Sequence, residues 1–452
     1  MNLKVIELND SAIKVGDEQG IIVQSPGFAL ADGEILLLGD AAEQQARLKP
    51  TNSYNKYWHE LSLEPISVSN KIRHYADIAY AHLLHLAEIG DIDSEVIFAV
   101  PGNFNRQQLS ILLGLAQHSP ITPVGVVDSA VAAAIQAAST STVIYADLQL
   151  HQAILTRLQV VDGQLKSETV VQVPGVGSQN LINSMMQLAT GLFIQQCRFN
   201  PQHNAESEQQ LYNALPLWLQ QGEQDEGNLH LELNAASTVH RAKMPRESLI
   251  SHLSGHYQKI QQQITALATE QDIQLLLGPK LGALPGFTNN LQQFSQLLVV
   301  ENHTVNSACL EYRDFIIGQE TSGIHRVSAL PVAQRAESAS VVVAADEEIP
   351  THALYASRAY PANKLDIRNE PGVNGHARPA AAIVLSDAQL PLQLGRIVRA
   401  ADGVYFEHGE DSPQQVLINN KQISGRQKLQ LGDRLGFGGN SEDICLIRVS
   451  DV

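Results

Sequence analysis

The chain has 452 residues, of which 44% are hydrophobic and 17% are charged, and its formal net charge is −17. This length exceeds what one hydrophobic core normally organises, so two or three domains are expected. The composition is typical of a folded, soluble protein and excludes a disordered one. The acidic balance, without a long basic cluster, disfavours binding to nucleic acid or to an anionic membrane, because both need a basic face.

The cysteines and the hydropathy pattern indicate a cellular compartment. Cys197, Cys309 and Cys445 are few and far apart, which argues against a disulfide framework and favours a reducing environment. The first residues lack the apolar segment of a signal peptide, and no run of 18 apolar residues occurs. We therefore expect a cytoplasmic protein without direct membrane insertion, whose membrane association, if any, depends on a partner.

The first 150 residues predict strands followed by alternating helices and strands. The helix over 69–89 is marked by apolar residues at helical spacing and by Gly90 as its stop. The later predicted elements are a strand at 96–100, a helix around 109–116, a strand at 124–127, a helix at 129–138 and a strand at 143–147. Such alternation favours a mostly parallel sheet with helices on both faces.

The same kind of pattern starts again after residue 150. The predicted elements are a hairpin at 153–160 and 167–173, a helix at 179–195, a loop at 220–228, a long helix from Pro245 to about 271 and a strand at 273–277. The turn Asp162-Gly163 closes the hairpin. A second α/β half therefore follows the first.

The last third of the chain changes character. Residues 327–378 are rich in Ala, Ser, Pro and Glu and predict a linker with one strand at 340–345. Residues 379–452 predict a small β-sandwich with strands at 381–385, 393–398, 403–408, 416–418, 428–435 and 444–449.

Six short motifs occur in this order along residues 1–326: Gly-Asp-Ala-Ala at 39–42, Pro-Thr-Asn at 50–52, Val-Pro-Gly-Asn-Phe-Asn at 100–105, Asp-Ser-Ala-Val-Ala-Ala-Ala at 128–134, Gly-Val-Gly at 175–177 and Leu-Leu-Leu-Gly at 275–278. In this order they resemble motifs of the 70-kDa heat-shock chaperones, which are ATPases of the actin-like fold. The resemblance implies an α/β fold with two ribonuclease-H-like lobes, 1–142 and 143–326. It also implies a cleft between the lobes for ATP or ADP with Mg²⁺.

The first phosphate-binding hairpin of that family is altered here. The family has Asp-Leu-Gly-Thr-Thr, whereas this chain has Glu7-Leu8-Asn9-Asp10-Ser11 without a glycine. Close approach of main-chain N–H groups to phosphate needs glycine. An Asp10 carboxylate about 4 Å from a phosphate would be repelled by about 4 kcal/mol at an effective dielectric near 20, about a thousandfold in affinity. Asp10 is therefore either an obstacle to nucleotide or a ligand of a shared Mg²⁺.

The second hairpin has lost more. The family has Asp-Leu-Gly-Gly-Gly-Thr, whereas residues 147–152 read Asp-Leu-Gln-Leu-His-Gln. The resemblance implies a Mg²⁺-directed role for Asp147, and the alternative is a carboxylate that caps the turn. His151 either bonds to phosphate or is a structural histidine.

Other positions of the nucleotide site are partly kept. Trp58 occupies the place of the family's catalytic lysine, and Lys56 either reaches the cleft or is solvated. Asp128 replaces a catalytic Glu and alternatively caps the helix that follows it. The resemblance implies that a glycine pair in each of two loops also contacts nucleotide. These glycines are Gly175, Gly177, Gly278 and Gly282.

Two further signals have a functional and a plain reading. His82 and His85 are spaced to hold a metal ion, but no other ligand motif accompanies them, and an amphipathic helix explains both. Gly395-Arg396 and Asn419-Asn420 resemble parts of forkhead-associated domains, which bind phosphothreonine through loop residues. The Ser-Arg-x-x-His segment of that family is missing, and Arg396 would be the phosphate ligand.

Together these features predict a degenerate heat-shock-70-like or actin-like protein. It would serve as a cytoplasmic interaction platform or assembly adapter for protein partners, with weak or no ATP turnover, as do actin-like components of bacterial pilus and secretion machines. The first alternative is a divergent ATPase that uses Asp147, with Asp10 or Asp128, around Mg²⁺. The second is a phosphopeptide-binding adapter. A peptide-holding chaperone is disfavoured, because no helical lid follows.

Overall fold

A computed structural model describes residues 3–66, 72–221, 227–235, 238–269, 272–317, 324–332, 350–355, 358–369, 382–385, 391–400, 403–408, 416–418, 421–422, 425–437 and 444–447. The chain divides into two compact units, Met1–Ala336 and Glu337–Val452. It is of the mixed α/β class, as the sequence predicts. The predicted strand at 340–345 lies outside the described residues.

The first unit contains two six-stranded sheets. The strands of this unit are β1 Lys4–Glu7, β2 Ile13–Asp17, β3 Gly20–Ser25, β4 Ala29–Asp32, β5 Ile35–Leu38, β6 Ser53–Tyr54, β7 Glu95–Val100, β8 Thr122–Asp128, β9 Thr142–Leu148, β10 Gln152–Val161, β11 Gln164–Pro174, β12 Asn228–Ala235, β13 Thr238–Pro245, β14 Ile273–Leu277, β15 Gln296–Val299, β16 Arg326–Val327 and β17 Ala329–Pro331.

Five strands of each sheet share one topology, and the sixth strand, β16 or β17, lies at opposite edges of the two sheets. The first has the order β16-β8-β7-β1-β2-β3, and the second has the order β15-β14-β9-β10-β11-β17. Each sheet begins with an antiparallel meander of three strands, β1–β3 in the first and β9–β11 in the second. The first strand of each meander also pairs in parallel with a later strand, β1 with β7 and β9 with β14. We call the two sheets with their packed helices lobe I and lobe II.

Helices cover the faces of both sheets. They are α1 Asp40–Glu43, α2 Tyr75–Ile89, α3 Arg106–Gln117, α4 Ser129–Ile135, α5 Ser178–Cys197, α6 Ala205–Gln221, α7 Arg246–Leu267, α8 Pro279–Gly282, α9 Thr304–Glu311 and α10 Arg313–Ile316, with 3-10 turns at Pro50–Asn52, Pro201–His203 and Thr288–Leu291. Lobe I and lobe II each enclose a core, and a third core between the sheets is built from α4, α9 and residues of both sheets.

Most predicted elements of this unit are confirmed within a few residues. The largest omissions are helix α6 and the hairpin β12–β13, which occupy residues 205–245. Their apolar residues pack inward on lobe II, but helix α6 contains Pro216, which weakened its helical signal. The first predicted helix begins at Tyr75, with Gly90 at its C-terminal end, and residues 69–71 lie outside the described residues.

The second unit is a β-sandwich. Its strands are β18 His352–Tyr355, β19 Arg358–Pro361, β20 Lys364–Asn369, β21 Ala382–Leu385, β22 Gln393–Ala400, β23 Gly403–His408, β24 Val416–Ile418, β25 Lys421–Gln422, β26 Gln427–Leu429, β27 Arg434–Phe437 and β28 Ile444–Ile447. They form a six-stranded sheet, β19-β18-β28-β27-β24-β25, and a five-stranded sheet, β21-β20-β22-β23-β26. One core joins the two sheets, with Phe406 and Phe437 in edge-to-face contact at 6.0 Å.

Two expectations for this part of the chain are corrected. Residues 352–369 belong to the sandwich, although their weak alternation predicted part of a linker. The single strand predicted at 428–435 is two strands, β26 and β27, because Gly432 with φ 87° lies in a turn between them. Within the described residues, no helix has both the length and the apolar character needed to cross a membrane.

Candidate functional site

The ends of the leading strands of the two lobes meet directly. The loop after β1 and the turn after β9 lie face to face, and Asn9 joins them. Its Nδ2 donates to Asp147 Oδ2 at 2.8 Å and to Leu148 O at 3.2 Å. The Ser11 hydroxyl lies 2.8 Å from Asn9 Oδ1 and 2.9 Å from Leu148 O. Side chains therefore connect the two loops that the resemblance assigns to phosphate.

Asp10 is buried in this contact and faces lobe II. Its Oδ1 accepts a hydrogen bond from Leu150 N at 2.8 Å, and its carbonyl accepts one from Gly27 N at 2.7 Å. Burial raises the pKa of Asp10 to about 6, against the opposing effects of the Leu150 N–H and of Lys280. The Asp10 carboxylate therefore accepts a hydrogen bond from the main chain of the opposite hairpin.

The turn after β9 is seated on the N-terminus of α5. Ser178 N donates to Gln149 O and Gln179 N to Leu150 O, each at 2.9 Å. Gly177 lies so close to the turn that a Cβ there would collide with Leu150 O and the main chain beside it. The first amides of α5 are therefore occupied by carbonyls of the chain itself, although helix N-termini are favourable positions for anions.

Asp147 lies at the centre of the contact and keeps part of its surface exposed. Leu148 N donates to its Oδ1 at 2.8 Å. A Cβ at Gly278 would collide with the carboxylate, so this glycine is required by Asp147. Desolvation raises the pKa of Asp147, and Lys14 and the hydrogen bonds from Leu148 and Asn9 act against it.

Lys280 supplies a cation that the sequence reading did not identify as functional. It follows Gly278-Pro279 in the loop of the glycine pair Gly278 and Gly282, and its Nζ donates to Ser11 O at 2.5 Å. Burial lowers the pKa of Lys280, against the attraction of Glu43 and Asp147.

A second buried cation lies beneath the loop. Lys14 Nζ and Glu7 Oε2 form an ion pair at 3.0 Å, and both side chains are less than one-tenth exposed. Burial raises the pKa of Glu7, and Lys14 opposes the shift. We call this set the inter-lobe floor: Glu7, Asn9, Asp10, Ser11, Lys14, Asp147–Leu150 and Lys280.

A second set of contacts connects the lobes near α1, and we call it the inter-lobe mouth. It consists of Glu43 and Arg47 on lobe I with Asn183, Gln209 and Tyr212 on lobe II. Tyr212 OH donates to Glu43 Oε1 at 2.6 Å, and Arg47 N donates to Gln209 Oε1 at 2.6 Å. The Arg47 side chain also bonds to Asn183 and lies 5.1 Å from the Tyr212 ring centre.

The contacts of Asp128 are with residues that do not belong to the floor. Its Oδ1 accepts from Ala130 N at 3.0 Å, so the predicted N-cap role is confirmed, although the helix ends at Ile135. Its Oδ2 pairs with Arg326 Nη2 at 2.6 Å. Arg326 lies on β16, far along the chain from Asp128, and no local sequence pattern predicted this ion pair. Burial raises the pKa of Asp128, and Arg326 opposes the shift.

The two candidates for the position of the family's catalytic lysine, Lys56 and Trp58, lie in different environments. Lys56 is exposed, and its Nζ lies 3.6 Å from Glu60 Oε1. Trp58 is buried and donates through Nε1 to His82 Nδ1 at 3.2 Å. His151 Nε2 donates to Asn55 O at 2.9 Å, which adds another contact between the lobes.

His82 is a buried structural group. Because the Trp58 indole can only donate, Nδ1 of His82 is the acceptor, and Nε2 carries the proton towards Ser25 Oγ at 2.8 Å. Burial lowers the pKa of His82 to about 3. Among the described residues, no group of three or more His, Cys, Asp or Glu side chains is arranged to hold a metal ion.

The remaining candidates, Gly175, Gly282 and Arg396, do not belong to the floor. Gly175 has a φ of 74° in the turn before α5, and its N donates to His151 O at 3.1 Å. Gly282 ends α8, where a Cβ would collide with Val299. Arg396 lies within strand β22 and its Nε is 2.8 Å from Glu407 Oε2. The first two keep the backbone compact, and the third belongs to the second unit.

The space at the floor is small. The cavities lined by Asp10 and by Asp147 each have a volume of about 10 Å³, which is room for one water molecule. Ligand pockets commonly measure about 300–1,000 Å³. In comparisons with known proteins, no family model matches the chain, and no curated protein matches it either.

Proposed function

We propose that the chain is a degenerate actin-like protein of the heat-shock-70 type. It acts as a cytoplasmic interaction platform or assembly adapter for protein partners, with weak or no ATP turnover. The shared topology of the two sheets and the order of the motifs along residues 1–326 support the two-lobed fold. The sandwich after the lobes supplies a second surface for recruiting a partner.

One observation carries this proposal: the Asn9 amide bridges to Asp147 and Leu148 where a triphosphate would have to lie between the hairpins. A ligand entering there must break the bonds of Asn9 and of Asp10. Each buried polar group left without a partner costs about 1–3 kcal/mol. Nucleotide would have to supply that energy before gaining any contact.

The charges of the floor oppose an anion as well. Glu7, Asp10 and Asp147 provide three carboxyl groups against the two ammonium groups of Lys14 and Lys280. Each ammonium already has an acceptor, Glu7 for Lys14 and Ser11 O for Lys280. A triphosphate would therefore meet excess negative charge with few unused donors.

The divergent ATPase is the second candidate, and one observation favours it. Asp10 and Asp147 lie close enough that Asp147 raises the pKa of Asp10. A Mg²⁺ ion between two carboxylates would relieve that repulsion, and it would also bridge to phosphate. Asp147 and Asp10 would then hold the metal.

Calorimetric titration of the full chain with ATP and Mg²⁺ separates the two candidates. The platform predicts no binding tighter than about millimolar and weak or no turnover. Binding in the micromolar range, with turnover that Asp147→Asn abolishes, would instead establish the ATPase. A variant with Asn9→Gly and Asp10→Thr restores the family residues and removes the bridge. It should bind ATP at least about tenfold more tightly than the natural chain.

A further inference from the structure

The outer face of the five-stranded sheet of the sandwich carries a group of cations. In strands β20, β22 and β23 buried apolar residues alternate with residues that point away from the core. The outward positions include Lys364, Arg368, Arg396, Tyr405 and Glu407, and Arg426 joins them from the adjoining segment. We call these six residues the basic outer face.

Glu407 holds two arginines in place. Its Oε2 lies 2.8 Å from Arg396 Nε, and its Oε1 lies 3.5 Å from Arg426 Nε. Arg426 also stacks over the Tyr405 ring, with 4.2 Å to the ring centre. Both arginines are about half exposed, at 53% and 52%. Because Glu407 engages their Nε atoms, the terminal guanidinium nitrogens are, among the described residues, available for bidentate contact with an oxyanion.

The face has a sign opposite to that of the chain. Asp366 pairs with Arg368 at 3.0 Å, and Glu407 is shared by two arginines, so cations outnumber carboxylates among the residues of this face that the structure describes. Lys364 is exposed beside them. The chain as a whole has a net charge of −17. A local basic face on an acidic protein attracts an acidic partner by charge complementarity.

We propose that the basic outer face binds an acidic segment of a partner polypeptide. Carboxylates of the segment contact the terminal nitrogens of Arg396 and Arg426, and an apolar side chain packs on Tyr405. The inference deepens the adapter role proposed above and rests on it. Arg396 lies on a strand face, not on a loop, which disfavours a phosphothreonine site of the forkhead-associated type.

The test uses the full chain and a fluorescein-labelled peptide of ten glutamates, with binding followed by fluorescence anisotropy in 50 and 200 mM salt. We expect saturable binding that weakens at the higher salt concentration. The double variant Arg396→Gln/Arg426→Gln should weaken binding at least about tenfold, because both bidentate donors are lost. Equal affinity of this variant would overturn the proposal.

Two further variants separate a binding face from general charge effects. Arg358→Gln removes one arginine charge from the other sheet, where Arg358 stacks over Tyr360 at 5.3 Å, and should leave the affinity within about twofold. Glu407→Gln removes one negative charge from the face but keeps an oxygen that accepts from the two Nε atoms, so it should tighten binding several-fold. A loss of affinity in Glu407→Gln, or an equal loss in Arg358→Gln, would contradict the proposal.

The outcome is independent of the nucleotide test. Absent glutamate-peptide binding overturns the basic outer face, whatever the ATP titration gives. Tight ATP binding with turnover overturns the platform, even where the peptide binds as expected. A phosphothreonine peptide that binds through Arg396 while the glutamate peptide does not would assign the face to phosphopeptides and overturn the proposal made here.

Discussion

The floor and the mouth of the inter-lobe contact connect the same two lobes through different chemistry. At the floor, Glu7, Asp10 and Lys14 are buried, and Asn9 bridges to the opposite hairpin. At the mouth, the Arg47 side chain is one-quarter exposed, and its hydrogen bond to Asn183 is accessible to water. Buried polar groups lose heavily when a partner is removed, whereas exposed pairs contribute little. The floor should therefore fix the closure of the lobes, and the Arg47 side chain should only adjust it.

The largest expected effect is at the ion pair of the floor. Lys14→Met leaves the buried Glu7 carboxylate without its cation, so the first unit should lose about 3–5 kcal/mol of unfolding free energy. Urea unfolding followed by circular dichroism measures the change.

The control for this change is a double replacement. Lys14→Met with Glu7→Leu removes both charges and should recover most of the loss, since an apolar pair avoids the desolvation of both ions. A double variant as unstable as Lys14→Met alone would mean that the charges themselves are required at the floor.

The second effect is a pH dependence from Asp10. Its pKa is raised from 3.8 to about 6, so its contribution to stability is fully present below about pH 3.8 and is lost as the pH rises to about 6. Asp10→Asn keeps an oxygen for the Leu150 N–H and removes the charge. The variant should be about 2–3 kcal/mol more stable than the natural chain at pH 7.5, and the difference should shrink towards pH 4.

Urea unfolding at several pH values measures this difference, and an exposed acid gives the control. Asp40→Asn removes the same charge from the start of α1 and should change stability by less than about 0.5 kcal/mol at each pH. The explanation fails if Asp10→Asn shows one constant difference at all pH values.

The sequence predicted the altered hairpins of the floor, but it did not predict the residues that contact them. The missing glycines at Asn9 and Gln149 were visible in the sequence, and they correctly directed attention to the floor. The bridge from Asn9 to Asp147 spans 138 residues, and no local pattern determines which side chains meet at such a separation. The contacts of Lys280 and Arg326 were not predicted for the same reason, because each residue contacts a partner that is distant in the sequence.

The elements show a related limit. Strands β7 and β14 are mostly apolar, so both could be predicted from the sequence to within one residue. The mouth depends on α6, which was not predicted, and therefore none of its contacts could be anticipated. The fold was thus largely predictable from periodicity, whereas the site depended on pairings between distant segments.

The third effect separates the floor from the mouth by amide exchange. Asn9→Ala removes two hydrogen bonds to lobe II and should weaken closure by about 1–3 kcal/mol. Hydrogen exchange of the Leu150 amide, which bonds to Asp10, should then accelerate roughly 10- to 100-fold, while that of the Arg47 amide stays nearly unchanged.

Asn103→Ala is the matched control for this experiment. Asn103 contacts Gln149 of the same turn at 3.2 Å but makes no bond to Asp147 in the described residues, so the Leu150 amide should keep its exchange rate within a few-fold. Equal acceleration in both variants would show that the turn merely loosens and that the Asn9 bridge has no special part in closure.

The smallest effect is expected at the mouth. Arg47→Ala removes the bond to Asn183, the ion pair to Glu208 at 3.6 Å and the stacking on Tyr212, yet should cost only about 0.5–1 kcal/mol because the Arg47 and Glu208 side chains are about one-quarter exposed. The amide at position 47 should exchange a few-fold faster, and the Leu150 amide should not change. Arg241→Ala, which breaks an exposed pair inside the β12–β13 hairpin, should alter neither amide. Acceleration of the Leu150 amide by Arg47→Ala would mean that the mouth and floor open together, and that the lobes are held by one cooperative contact.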